Sequence, residues 1–222
     1  MTRTALVLRP EPGGRATGER LAAAGLPILQ MPLFETTAIA WTPPTGRYDA
    51  LLLTSANAVR HAGAGLSSLR ALPVVAVGHG TAAAARNAGF DVVAVGGGDG
   101  AQALALAHQK GWHSILRLAA RDRTMLEGVT DVPVYASNPL IPPRGALKAV
   151  RGTVALVHSS RAAPLFRELL ERDAVPVDDI RLAAMSEAVA DAAGTGWNRI
   201  MVAPKPNDAM LVEVACTLAI DP

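Results

Sequence analysis

YDALLLTSANAV, residues 48–59, returns in outline as GTVALVHSSRAA, residues 152–163, with Ser55 over Ser159 at an offset of 104. Each copy is an apolar run that ends at a hydroxyl residue and passes into a helix-prone segment, as a buried parallel strand does when it leads into a crossover helix. Working outward, VVAVGHGTAAAARNAGFDVVAVG from Val74 matches RLAAMSEAVADAAGTGWNRIMVA from Arg181, with Gly89 and Phe90 over Gly196 and Trp197 at an offset of 107. This alignment places Thr81 over Ala188. ALVLRP near the N-terminus resembles SILRLA near residue 116, with Arg9 over Arg117 at an offset of 108. That last piece precedes its unit in one copy and follows it in the other. The chain therefore reads as two similar α/β units, one built from segments that the other has interrupted.

The 222 residues suffice for two units of roughly 100 residues, each able to bury its own core. Half of the residues are hydrophobic but only 4% are aromatic, so the cores are expected to be aliphatic and Ala-rich. A net charge of +2 without a dense basic run argues against a nucleic-acid or membrane-surface partner. The single Cys216 excludes an internal disulfide and multi-cysteine metal motifs, which fits a cytoplasmic protein. No segment approaches the roughly 20 apolar residues of a membrane span, and the apolar start, Ala5 to Leu8, is too short for a signal-peptide core.

Ten strands are expected, beginning near Ala5, Pro27, Ala50, Val74, Asp91, Ser114, Val132, Thr153, Arg181 and Arg199. Helices fall between most of them, such as 15–24, 81–88, 101–110, 161–172 and 208–218, with Gly25, Gly89 and Gly111 as C-caps. LFETTAIAWTPPT from Leu33 and VYASNPLIPPR from Val134 break the alternation, each an extended stretch followed by Pro-Pro. They are the expected linkers, 34–41 and 134–143, joining a discontinuous domain, 1–33 plus 144–222, to a second domain, 42–133. The fold class is thus α/β, two similar parallel-sheet, flavodoxin-like domains with a two-stranded linker, and the cleft at that hinge is the default site.

Ligands of open parallel sheets bind beyond the carboxyl ends of the strands, where helix N-termini present free N–H groups. Thr54, Ser55 and Asn57 follow one strand, Gly78, His79 and Thr81 another, Ser159 and Ser160 a third, and Ser186 a fourth. Taken singly, each is explained as an N-cap, worth about 1 kcal/mol to its helix. Their recurrence in both units points to anion binding. Gly78 to Ala83 also fits G-x-G-x-x-A, with Asp99 about 20 residues later, a dinucleotide fingerprint that the second copy lacks. The five histidines, His61, His79, His108, His113 and His158, show no metal-ligand spacing, and no serine sits in a G-x-S-x-G elbow. No metal site is expected. Tyr135 lies on the second linker, where it either faces the cleft or packs the hinge.

The order of LVLRP, MPLFE, YDALLLTSANAV, VVAVGHGTAAAA, ILRLAARDR, VPVYAS, VALVHSS and NDAMLVEVA resembles the uroporphyrinogen-III synthase family nearly end to end. The resemblance implies a cofactor-free lyase of porphyrin and haem biosynthesis. It closes hydroxymethylbilane, a small-molecule substrate with eight carboxylates, to uroporphyrinogen III, inverting ring D and losing water. By the same resemblance Tyr135 matches a tyrosine that assists departure of the hydroxyl, and Ser55, Thr81, Ser159 and Ser160 match positions that contact substrate carboxylates. Asn57 stands near another such position, Ser186 substitutes for a threonine that Ala188 replaces, and Arg9 is a substrate-binding or strand-end residue. A monomer is implied, with neighbouring enzymes of the tetrapyrrole pathway as candidate partners. Two rivals share these features: a non-catalytic two-domain binding protein, and a nucleotide-dependent enzyme using Gly78 to Ala83.

Overall fold

The computed structural model describes residues 2–220. In chain order the elements are β1 (Ala5–Val7), α1 (Gly13–Ala23), β2 (Ile28–Gln30), β3 (Phe34–Ala38), β4 (Ala50–Leu53), α2 (Ala56–His61) and β5 (Val74–Ala76). They continue as α3 (His79–Asn87), β6 (Val92–Val95), α4 (Gly100–Gln109), β7 (Ile115–Ala120), β8 (Val129–Pro139) and β9 (Val154–Val157). The chain closes with α5 (Ala162–Arg172), β10 (Arg181–Ala184), α6 (Glu187–Ala193), β11 (Arg199–Val202) and α7 (Asp208–Ile220). Gly25, Gly89 and Gly111 follow α1, α3 and α4 with φ of 80°, 83° and 80°, the left-handed geometry of a helix C-terminus.

The chain divides into two compact units, Met1–Glu35 with Pro139–Pro222, and Thr36–Asn138. The first contains a five-stranded parallel sheet in the order β11-β10-β9-β1-β2. In the second, the sheet order is β3-β8-β7-β4-β5-β6, with β8 through β6 parallel. With β9, β10 and β11 equivalent to β4, β5 and β6, and β1 and β2 equivalent to β7 and β8, the two orders coincide. That order is the flavodoxin-like 2-1-3-4-5. The out-of-order repeat is therefore a circular permutation of one doubly wound fold.

Strands β4, β9 and β10 are buried at every residue, because helices cover both faces of each sheet. In the first unit Leu21 of α1 and Leu211, Ala215 and Leu218 of α7 line one face, while Phe166 of α5 and Val189 of α6 line the other. In the second, Ala58 of α2 and Ala82 and Ala85 of α3 oppose Ala103, Leu104 and Ala107 of α4. The small residues that fill these helices let the layers pack closely with few aromatics.

Strand pairing corrects two alignments drawn from the sequence. Ala5 pairs with Val154 and Ile115 with Ala50, so Ala5 and Ile115 are equivalent, an offset of 110 instead of 108. Arg117 thus lies inside its strand at the position of Val7, whereas Arg9 lies past the strand end at the position of Ala119. Similarly, Val74 pairs with Leu51 and Leu182 with Ala155, which puts Ser186 at the place of Gly78 and the buried Val189 at the place of Thr81. Ala188, the residue aligned with Thr81 by sequence, corresponds instead to Gly80.

The two Pro-terminated stretches are strands. β3 and β8 are neighbours at the edge of the six-stranded sheet, with the Ile39 N–H donating to the Val134 carbonyl at 2.9 Å. Pro133 is tolerated inside β8 because the pairing with β7 bulges there: Ala119 faces Pro133, the next residue Ala120 faces Tyr135, and Val134 is extra.

Candidate functional site

In the second unit α2 begins where β4 ends. Ser55 is its N-cap, extended at φ −153°, and its Oγ accepts the Asn57 N–H at 3.1 Å. Asn57 in turn accepts from Arg60 Nη1 through Oδ1 at 2.8 Å, so its amide NH2 is the end left for a ligand. Thr81 is the third residue of α3, half-buried in its first turn, and its hydroxyl makes no hydrogen bond among the described residues. Tyr135 is buried at 8% exposure, and its ring stacks on His61 with centroids 5.8 Å apart and planes 24° apart. Both rings belong to the second unit, and His61 is the last residue of the helix that Ser55 caps.

The Arg-rich turn after β7 is anchored from below. Arg117, 3% exposed, clasps Asp131 with Nε to Oδ1 and Nη2 to Oδ2, and Arg123 Nε adds a contact to Oδ2 at 2.8 Å. Burial pushes the Asp131 carboxyl up, but the hydrogen bonds and charges of Arg117 and Arg123 outweigh it and hold the group below the usual carboxylate range. Arg117 Nη2 also donates to the Thr124 carbonyl, so this buried ion cluster braces the turn rather than offering a cation to a ligand.

In the first unit the carboxyl edge carries Ser159 and Ser160 after β9 and Ser186 after β10. Ser159 Oγ accepts the Ala162 N–H at 3.2 Å, and Ser160 Oγ donates to the Ala188 carbonyl at 3.3 Å, which ties the two turns together. Ser186 occupies the N-cap of α6, yet its side chain caps nothing. Its hydroxyl, like that of Thr81, makes no hydrogen bond among the described residues.

Arg9 lies at the topological switch point, between β1 and β9, where a doubly wound sheet opens its crevice. Its Nη1 donates to Asp208 Oδ1 at 2.9 Å. The same oxygen accepts Thr17 Oγ1 at 2.7 Å and meets His158 Nε2 at 2.8 Å, while Oδ2 accepts Arg20 Nη1 at 2.6 Å. Gly13 makes room, since a Cβ there would sit 2.5 Å from Arg9 Nε. Burial raises the Asp208 carboxyl, and the His158 and Thr17 hydrogen bonds bring it far below the usual range. His158 is pushed down by burial, against the pull of Asp208, and so is neutral at pH 7. Sequence reading missed Thr17, Arg20, His158 and Asp208 as a group, and nothing in their spacing announces it.

The glycines of Gly78 to Ala83 do not behave as a dinucleotide fingerprint. A Cβ on Gly78 or Gly80 would meet nothing within 4 Å, and Ala83 is exposed instead of packing helix on strand. Asp99 is spent as the N-cap of α4, its Oδ1 accepting the Ala101 N–H at 2.8 Å.

The model of the family described as uroporphyrinogen-III synthase HemD matches residues 15–213. The chain belongs to the uroporphyrinogen-III synthase family. The enzyme carries out that family's cyclisation step in tetrapyrrole biosynthesis. Among solved structures, a uroporphyrinogen-III synthetase from Helicobacter pylori is similar over 98% of this chain and 100% of its own, with 16% identity and a TM-score of 0.64. A mutant uroporphyrinogen III synthase from the extremely thermophilic bacterium Thermus thermophilus is similar over 98% of this chain and 99% of its own, at 19% identity and a TM-score of 0.53. No curated protein sequence matches the chain. The likeness to these synthases is one of fold, a two-domain α/β architecture with parallel sheets. Among the described residues of this synthase, no helix is long and apolar enough to cross a membrane.

Proposed function

We propose that the chain converts hydroxymethylbilane to uroporphyrinogen III with Tyr135 as its catalytic residue and the hydroxyl-bearing turns as its carboxylate contacts. The phenol O–H is a hydrogen-bond donor and donates to the departing hydroxyl. The carbon–oxygen bond of the hydroxymethyl group breaks, the oxygen leaves as water, and an electrophilic azafulvene remains. Ring D attacks through its substituted α-carbon to give a spiro intermediate. The spiro carbon then releases its original bridge, the fragment recloses at the free α-carbon, and loss of one proton restores the aromatic pyrrole. One water is lost overall, with no change of oxidation state and no cofactor. Holding a flexible bilane so that ring D meets the azafulvene in the inverted sense is the larger part of the task.

The observation that carries this assignment is the family match over residues 15–213, joined to a buried Tyr135 held by a residue of the helix that Ser55 caps. Thr81 and Ser186, whose hydroxyls have no described partner, are the strongest contacts for substrate carboxylates. Ser55 and Ser159 combine their bonds to the first turns of their helices with binding, Ser160 combines its bond to the Ala188 carbonyl with binding, Asn57 offers its amide, and Arg9 acts through the Asp208 network. The linkers 34–41 and 134–143 join domains 1–33 plus 144–222 and 42–133. A cytoplasmic monomer, with neighbouring pathway enzymes as partners, completes the proposal. The test supplies freshly generated hydroxymethylbilane, oxidises the products and separates the uroporphyrin isomers. Predominant isomer III supports the assignment; isomer I at the no-enzyme rate, the product of spontaneous closure, refutes it and favours a binding protein.

A further inference from the structure

Tyr135 makes no side-chain hydrogen bond among the described residues, so packing alone decides where its hydroxyl points. Three things pack it. The bulge at Val134 re-aims the side chain out of the regular alternation of β8. Apolar neighbours of the second unit's core surround it. The His61 imidazole lies nearly parallel to its ring at 5.8 Å. That imidazole is itself tethered, with Nε2 2.9 Å from Thr36 Oγ1 on β3, the strand beside β8. A leucine or phenylalanine would fill the same space without needing a polar partner. The histidine instead spends one nitrogen on Thr36, which fixes the plane of the ring.

We propose that His61 is a positioning residue for Tyr135: pinned to Thr36, it fixes the plane of the phenol and hence the direction from which the hydroxyl meets the leaving oxygen. The proposal rests on the role assigned above to Tyr135. It is supported by the state of the half-buried ring, which desolvation and the neighbouring Arg60 charge keep neutral at pH 7, so that it stacks as an uncharged ring.

Steady-state kinetics of isomer III formation test it. A small misplacement of a catalytic group lowers the rate of the chemical step more than it weakens binding, so His61→Ala is expected to lower kcat about tenfold with KM within about twofold. His61→Phe, which keeps a stacked ring, should stay within about threefold of wild type, and Thr36→Val, which removes the tether, should lower kcat by about threefold. In a Tyr135→Phe background His61→Ala should cost nothing further, because no hydroxyl is left to aim. Wild-type kcat in His61→Ala, or an equal loss in both backgrounds, overturns the proposal; should His61→Ala fail to fold, wild-type kcat in Thr36→Val does so. Wild-type turnover in Tyr135→Phe would instead remove the tyrosine and this inference together. Absence of isomer III from the unmodified enzyme would refute the function itself.

Discussion

Replacing Asp208 by Asn keeps the size of the side chain and removes its charge, and the cost can be worked out partner by partner. Asp208 binds four groups, but they differ in what water can do for them afterwards. Arg20 is 52% exposed and Arg9 30%, so both resolvate and their loss costs little. Thr17 is fully buried and His158 is 10% exposed, so neither finds water in exchange. The Asn oxygen still accepts from Thr17 and His158, but the charge-assisted part of each bond is lost, about 1.5 kcal/mol apiece, so the two buried partners together set a loss of about 3 kcal/mol. For a protein of this size that corresponds to a fall in Tm of about 6–12 °C. Differential scanning calorimetry at pH 7.5 measures it, with Arg20→Ala as the control expected to cost under about 1 kcal/mol. The reasoning fails if Asp208→Asn leaves Tm within about 2 °C of wild type, or if Arg20→Ala is as destabilising, since exposure would then not be what separates the four partners.

Asp131→Ala strands the buried Arg117 guanidinium and should cost about 3–5 kcal/mol, read as a shifted urea midpoint. A smaller change would mean that the turn after β7 relaxes to admit water. Ser55→Ala removes the cap of α2 and should cost about 1 kcal/mol, whereas Thr81→Ala removes an unpartnered hydroxyl and should leave Tm unchanged. A KM raised about tenfold in Thr81→Ala, without loss of stability, would identify a carboxylate contact, and an unchanged KM would dismiss it. The folded-state pKa values of His61 and His158 are both depressed from 6.5. Above pH 6.5 both rings are neutral in the folded and unfolded chains; below it the unfolded chain takes up protons that the folded one refuses. Stability should therefore hold from pH 8 to about 6.5 and fall with further acidification, and the fall should be smaller in His61→Phe. Tm rising between pH 6.5 and 5 would contradict the sign.

The arrangement of the fold was legible because buried parallel strands are written as contiguous apolar runs. ALLL of β4 and VALV of β9 stand out from their surroundings whatever the tertiary context. Serines after those runs marked the strand-to-helix turns, and Ser55 and Ser159 do bond the first turns of their helices. β3, and the half of β8 beyond the strand expected near Val132, were obscured for a physical reason as well. An edge strand and a strand that bulges at Pro133 need fewer ladder hydrogen bonds, so they tolerate residues that sequence rules assign to loops.

By itself the sequence determined two doubly wound units related by permutation, their aliphatic cores, and the turns where hydroxyls gather at the strand ends. Only the tertiary structure decided register, because an apolar run looks alike when slid by one or two residues and hydrogen bonding to the neighbouring strand chooses between them. That choice moved Arg117 into its strand, left Arg9 at the switch point, and set Val189 where Thr81 stands in the other unit. Only the tertiary structure, too, brought Arg9, Thr17, Arg20 and His158 onto one carboxylate at Asp208, and His61 onto Tyr135. Those contacts join residues up to 199 positions apart. They come from strands and helices converging at one end of a sheet, a proximity that no local spacing encodes.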